Sequence, residues 1–163
     1  MIHGTEMSEQ RLTGLVFDVK RFALHDGPGI RTTAFLKGCP LRCPWCQNPE
    51  GLSPKAELQP LPDRCLGCGK CLEICSAGIE RPGARSGECT ACGACVDACP
   101  AGARRIAGTE YSLQDLTREL LQDRAFYRRS GGGVTLSGGE PLLVPEYTGA
   151  LAAALAAEGV GVL

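Results

Sequence analysis

The chain has 163 residues, 44% of them hydrophobic, and a formal net charge of -1, which suits one domain or slightly more with an ordinary core and argues against the basic face of a nucleic-acid binder. No apolar run approaches the roughly 20 residues of a membrane span. The opening MIHGTEMSEQR lacks the basic, apolar, small-residue order of a secretory signal, so a cytoplasmic chain is expected. Eleven cysteines are present, and an odd count in a reducing compartment favours metal binding over a disulfide framework.

From Leu12 to Phe22 apolar and polar residues alternate as in a short strand, which Asp26-Gly27-Pro28-Gly29 interrupts. Thr32 to Leu36 (TTAFL) is a β-prone, mostly apolar run suited to a buried parallel strand. It ends at KGCPLRCPWCQNPE, where Cys39, Cys43 and Cys46 have the spacing C-x3-C-x2-C. A step of two intervening residues reaches at most about 10 Å, and Gly38, Pro40 and Pro44 favour a turning loop, so the three thiolates can share one centre. A closed structural site normally takes four protein ligands, so three cysteines suggest an iron–sulfur cluster with one iron open. Loops at the carboxyl ends of strands are where α/β folds carry their chemistry. A zinc loop completed by a distant residue, or three unrelated thiols, are the alternatives at this point.

Leu52 to Pro62 is punctuated by prolines and reads as the linker into an inserted module. Cys65, Cys68, Cys71 and Cys75 then have the spacing C-x2-C-x2-C-x3-C, and Cys89, Cys92, Cys95 and Cys99 repeat it, followed by Pro100. This is the bacterial two-cluster ferredoxin pattern, with Ser76 where the first run would more usually have proline. In that pattern the fourth cysteine of each run ligates the other cluster, so Cys99 should join Cys65, Cys68 and Cys71, and Cys75 should join Cys89, Cys92 and Cys95. Few large apolar residues lie between Cys65 and Cys99, so ligation must do most of the folding there. Zinc is the alternative.

Beyond Arg105 the pattern is helical. Thr109 and Ser112 are candidate caps, Ser112 and Asp115 make a weak capping box, and Leu113, Leu116, Leu120 and Leu121 form an apolar stripe on a helix ending before Ser130. Val134 to Leu136 is a short strand, stopped by Ser137-Gly138-Gly139-Glu140-Pro141. An Ala-rich helix from Pro145 stops at Gly159, and Val160 to Leu163 begins a third core strand. Among the remaining polar residues, His3 and His25 read as structural or solvent-facing, and the Arg104-Arg105 and Arg128-Arg129 pairs as solvated faces.

The C-x3-C-x2-C loop with Trp45 before its last cysteine resembles the signature of radical S-adenosylmethionine (radical SAM) enzymes. DGPGIRTTAFLKGCPLRCPWCQNPE, the double ferredoxin insert and SGGGVTLSGGEP together resemble the activating enzymes of glycyl-radical enzymes, from Leu15 to Leu163 in uninterrupted order. The resemblance implies an α/β fold: an incomplete, partial TIM-type (β/α) barrel, its first part in residues 1–54 and its second in 106–163, with a ferredoxin-like two-cluster module inserted at 55–105. It further implies three [4Fe-4S] clusters, one with an open iron on Cys39, Cys43 and Cys46 and two auxiliary. In the family S-adenosylmethionine chelates the open iron, reductive cleavage gives a 5′-deoxyadenosyl radical, and that radical takes a hydrogen from a backbone glycine of a partner enzyme.

By the same resemblance Trp45 lies near the adenine and Gly138, Gly139 and Glu140 receive the methionine ammonium. Asp26 and Arg31 lie near the entering substrate loop, and a flavodoxin or ferredoxin supplies the electron. For Trp45 a core position is the alternative, for Gly138 to Glu140 a tight turn with an exposed Glu, for Asp26 an exposed turn and for Arg31 a surface cation. A barrel stopping at its third core strand should leave a bare sheet edge and an exposed apolar face. A cluster-binding chain without turnover, or another radical SAM enzyme with auxiliary clusters, are the rival functions.

Overall fold

The computed structural model describes residues 12–78 and 89–163; His3 and the rest of the amino-terminal stretch lie outside the described residues. In chain order the elements are β1 (Thr13–Ala23), β2 (Arg31–Leu36), β3 (Glu57–Pro60), α1 (Lys70–Glu73) and α2 (Ala94–Asp97). They continue with β4 (Arg104–Ala107), β5 (Thr109–Ser112), α3 (Leu113–Leu120), α4 (Arg124–Ser130), β6 (Gly133–Gly138), α5 (Pro145–Ala157) and β7 (Gly161–Val162). The fold is mixed α/β. Two compact units divide it, one running to Lys55 and resuming at Gly108, the other comprising Ala56–Ala107.

The first unit is a mixed five-stranded sheet in the order β5-β1-β2-β6-β7. Its central strand, Arg-Thr-Thr-Ala-Phe-Leu, is buried along nearly its whole length, as expected of a β-branched and apolar strand covered on both faces. β1 runs antiparallel to β2 through two irregularities, between Val16 and Asp18 and between Lys20 and Ala23. β2 and β6 are parallel and in register from Arg31 opposite Gly133 to Leu36 opposite Gly138. That register sets the site: the chain leaves both strands at the same edge of the sheet, on one side into the Cys39 loop and on the other into Gly139-Glu140.

The helices cover one face. Leu116 and Leu120 of α3, Leu151 and Leu155 of α5, Val16, Ala34, Leu36 and Val134 form a closed apolar cluster, each fully buried leucine contributing about 1.5–3 kcal/mol. α3 starts at Ser112, whose hydroxyl accepts from the Asp115 N–H at 3.1 Å, satisfying one of the orphan donors of the first turn. Tyr147 lies over Gly14, where any Cβ would be 2.3 Å from the ring, so this glycine lets α5 close onto β1. β5 and β7 are the sheet edges. Beside β7 a hollow is lined by Leu136, Leu142, Pro145, Ala152, Val162 and Leu163 among others, and Leu142 and Leu163 are exposed.

Three features depart from the expectations. Thr109 is no cap but the first residue of β5, which pairs with β1; Ser112 alone caps the helix. The expected single helix to Ser130 gives way to a 3-10 turn at Leu121–Asp123, where Asp123 turns inward to accept from Arg21 Nε at 2.7 Å and Thr32 Oγ1 at 2.8 Å. Arg21 Nη2 pairs with its other oxygen. The supposed linker contains β3, which pairs antiparallel with β4 from Glu57 opposite Ala107 to Pro60 opposite Arg104. Four residues with two non-β formers, Glu and Pro, carry little local signal, and only the distant partner makes them a strand.

The second unit thus begins and ends on one two-stranded ribbon. Among the described residues between the strands are two single-turn α-helices, and the buried cluster there is Leu58, Cys71 and Cys95. Among the described residues no helix is long and apolar enough to cross a membrane.

Candidate functional site

In the first unit the two feet of the Cys39 loop are fastened together. Gly38 donates to Gly51 O at 2.8 Å and Cys39 to Leu52 O at 3.1 Å. Lys37, almost fully buried, sends its ammonium to Glu50 O at 2.6 Å. Within the loop, Cys46 N–H donates to Cys43 O at 3.0 Å, closing a turn, and Arg42 holds Cys39 O and Leu41 O. Cys39 and Cys43 are half-buried and Cys46 is exposed. Trp45 is 77% exposed, which removes the core reading and leaves the indole facing outward from the loop.

The Gly138-Gly139-Glu140 segment packs against the base of this loop through its backbone. Gly139 N–H donates to Leu36 O at 2.7 Å and Glu140 N–H to Gly38 O at 2.8 Å. A Cβ on Gly139 would sit 2.3 Å from Gly38 O and 2.8 Å from Gly51 O, so only glycine permits the approach. The Glu140 carboxylate accepts from Leu142 N–H at 2.9 Å, capping the 3-10 turn Pro141–Leu143. Two segments about a hundred residues apart in sequence therefore pack against one another.

Asp26 and Arg31 do not join them. Arg31 opens β2 while the cysteine loop follows its other end, five residue steps or roughly 17 Å away. Nor is Arg31 a surface cation: it is buried, donates to Thr135 Oγ1 at 2.7 Å and to Val134 O and Pro28 O, and burial draws its pKa down. Asp26 accepts from Thr33 Oγ1 at 2.6 Å and, through its carbonyl, from Thr135 Oγ1 at 2.7 Å. The pair braces the amino ends of β2 and β6. His25, Arg128 and Arg129 are exposed.

In the second unit the cysteines line two small hollows. Cys65, Cys68, Cys71 and Cys99 line one, and Cys75, Cys89, Cys92 and Cys95 line the other. Among the described residues no three His, Cys, Asp or Glu side chains converge on a single-ion site. Backbone N–H groups point at the sulfurs, Ala103 to Cys99 Sγ at 3.2 Å and Ala91 to Cys89 Sγ at 3.4 Å. The Ala103 N–H, helped by that of Ala101 and then by Arg104 and the Gly102 N–H, holds the Cys99 thiol below the ordinary thiol range, favouring the thiolate that ligates metal. The donor set and its hydrogen bonds fit four-cysteine iron–sulfur clusters.

Arg104 belongs to this site, although its sequence context suggested a solvated pair. It is 4% exposed, lines the first hollow and donates through Nη1 at 3.6 Å to Cys95 Sγ, a thiol lining the second. Arg105 points the other way and donates to Gln59 Oε1 at 2.6 Å. The period of two along β4 decides which arginine turns inward, so the signal was hidden with the strand itself.

A family model described as a 4Fe-4S single cluster domain matches residues 25–161. The chain belongs to this family. Among curated relatives it is 53% identical over 158 residues to the benzylsuccinate synthase activating enzyme of Thauera aromatica, covering 91% of this chain and 48% of that protein. It is 42% identical over 162 residues to the (2S)-3-sulfopropanediol dehydratase activating enzyme of Klebsiella oxytoca, covering 90% of this chain and 50% of that protein. To the trans-4-hydroxy-L-proline dehydratase activating enzyme of Clostridioides difficile it is 50% identical over 131 residues, 77% of this chain and 43% of that protein. The chain spans about half the length of the curated relatives it matches. All three are activating enzymes, so the resemblance carried by the motifs extends along the sequence.

Proposed function

We propose that this chain carries the S-adenosylmethionine-cleaving site of an activating enzyme for a glycyl-radical enzyme. The observation that supports the reading is the backbone docking of Gly139 and Glu140 onto Leu36 and Gly38, which brings the Gly-Gly-Glu segment to the foot of the three-cysteine loop. Cys39, Cys43 and Cys46 would hold a [4Fe-4S] cluster with one iron left to the methionine end of the cofactor. When bound, the cluster and cofactor supply a one-electron cleavage of the sulfonium C–S bond. The chain's own part is to place acceptors: an ammonium needs them, and the glycines let main-chain carbonyls come close. Trp45, exposed beside Cys46, would offer its indole face to the adenine.

The two hollows of the second unit would each hold a [4Fe-4S] cluster with the fourth ligand exchanged between the runs, making residues 55–105 a ferredoxin-like insert. They would pass electrons from a low-potential donor such as a flavodoxin or ferredoxin. The parallel β2-β6-β7 sheet would be the beginning of a partial TIM-type barrel formed by residues 1–54 and 106–163. The relatives' names point to different enzymes activated, so the reading specifies a class of protein partner, an enzyme with a glycine to be converted, and no single member.

Anaerobic reconstitution with measurement of iron content and 5′-deoxyadenosine output tests the reading. Cys43→Ala should abolish 5′-deoxyadenosine formation while leaving the iron of the insert in place. Formation at the parent rate would refute the site, and clusters without turnover in the parent chain would favour a cluster-binding role.

A further inference from the structure

We infer that Arg104 is a potential-setting residue for both auxiliary clusters, a positioned cation and hydrogen-bond donor held between the two four-cysteine hollows. The inference rests on the reading that those hollows hold clusters. Its guanidinium is almost fully buried, lines the hollow of Cys65, Cys68, Cys71 and Cys99, and donates to Cys95 Sγ of the other at 3.6 Å. The Cys71 thiol is its other sulfur neighbour, and both sulfurs favour the charged guanidinium against the cost of its burial. Cys71 and Cys95 are themselves the two buried cysteines of the unit and occupy equivalent third places in the two runs. One cation thus serves a pair of ligands related by the internal repeat.

The physical consequence has a fixed sign. Reduction adds an electron to a cluster, and a nearby positive charge with an N–H aimed at a ligand sulfur stabilises the more negative state, as hydrogen bonds to cluster sulfurs do. Arg104 is almost fully buried, as are Cys71 and Cys95, so that interaction is weakly screened. Arg104 therefore raises the potential of both clusters, and more strongly that of the cluster on Cys95, to which it donates directly.

The experiment uses the whole chain carrying Cys39, Cys43 and Cys46→Ala, so that only auxiliary clusters are loaded, with and without Arg104→Gln. Iron content and the EPR-monitored redox titration of each cluster are read. Arg104→Gln should keep its iron and shift the reduction equilibrium of at least one cluster tenfold or more toward the oxidised state, 59 mV for one electron. Arg104→Lys, which keeps the charge without the rigid fork, should shift it less in the same direction. Unchanged potentials in an iron-replete Arg104→Gln protein would overturn the inference. If that variant fails to take up iron, Arg104→Lys decides: a smaller negative shift supports it, the parent's potential overturns it, and loss of iron from both variants overturns it in favour of a purely structural role. Failure of the parent to load any cluster would instead sink the cluster reading.

Discussion

Substituting Gly139 by Ala tests the joining of the two motifs. The added Cβ would lie 2.3 Å from Gly38 O, 2.8 Å from Gly51 O and 2.9 Å from the Gly38 carbonyl carbon. All three are backbone atoms, so no side chain can swing aside and the Gly139 segment must retreat from the cysteine loop. Overpacking of this kind costs about 1–3 kcal/mol, and retreat weakens the bonds from Gly139 N–H to Leu36 O and from Glu140 N–H to Gly38 O, each contributing about 1 kcal/mol. A loss of about 3 kcal/mol is expected in anaerobic denaturant unfolding, together with weaker S-adenosylmethionine binding by the reconstituted chain. Gly149→Ala is the control: it lies in α5 with open space at its Cβ and should stabilise by about 0.5–1 kcal/mol. If Gly139→Ala unfolds with the parent's stability and binds the cofactor equally well, the two loops do not form one site.

Asp123 should respond to acid: the Arg21 guanidinium, with the Thr32 hydroxyl, holds its carboxyl below the usual range. Its contribution is therefore complete above an unfolded pKa of about 3.9 and is lost as pH falls through the lower folded value. Asp123→Ala, which leaves the buried Thr32 hydroxyl without its acceptor, should cost about 1–3 kcal/mol near neutral pH and flatten the acid limb of stability followed by circular dichroism; an unchanged limb would refute this. Ala91 has φ +56° where the equivalent place in the first cysteine run is Gly67 at +67°, so Ala91→Gly should stabilise the cluster-loaded chain by about 1 kcal/mol; no gain in its thermal midpoint would contradict the stated backbone. The exchange of fourth ligands predicts that Cys65→Ala with Cys99→Ala removes one cluster's iron, whereas Cys89→Ala with Cys99→Ala removes that of two. Equal losses from the two pairs would argue against the exchange.

The parts of the fold written in local pattern were legible. Ser112 with Asp115, the leucine stripe of α3 and the apolar run of β2 each carry their period in adjacent residues. β3 and β5 were not, since Glu57–Pro60 and Thr109–Ser112 become strands only by pairing with β4 and β1. At the site, cysteine spacing marked out thiols that lie near one another in the fold, because reach along the chain is a short-range constraint. Arg104 and Asp123 escaped because a buried charge is decided by its partners, here Cys95 and Arg21, and partners remote or hidden in sequence leave no mark on the pattern around the residue. Trp45 shows the converse, since its exposure reversed the ordinary expectation for a lone tryptophan.

The second unit connects these observations. Its helices α1 and α2 have four residues each, far below the length at which a helix is even marginal alone, and among the described residues its buried cluster contains a single aliphatic side chain, Leu58, beside two cysteines. On the proposed reading, ligation adds to so small a described core against the entropy of ordering the segment. Arg104 sharpens the point. Burial opposes its charge, and Cys95 and Cys71 support it, most effectively as thiolates, the form in which they bind metal. On the proposed reading, burying the guanidinium and loading the clusters support one another, and the residue inferred to tune the clusters is one that they would help to hold in place.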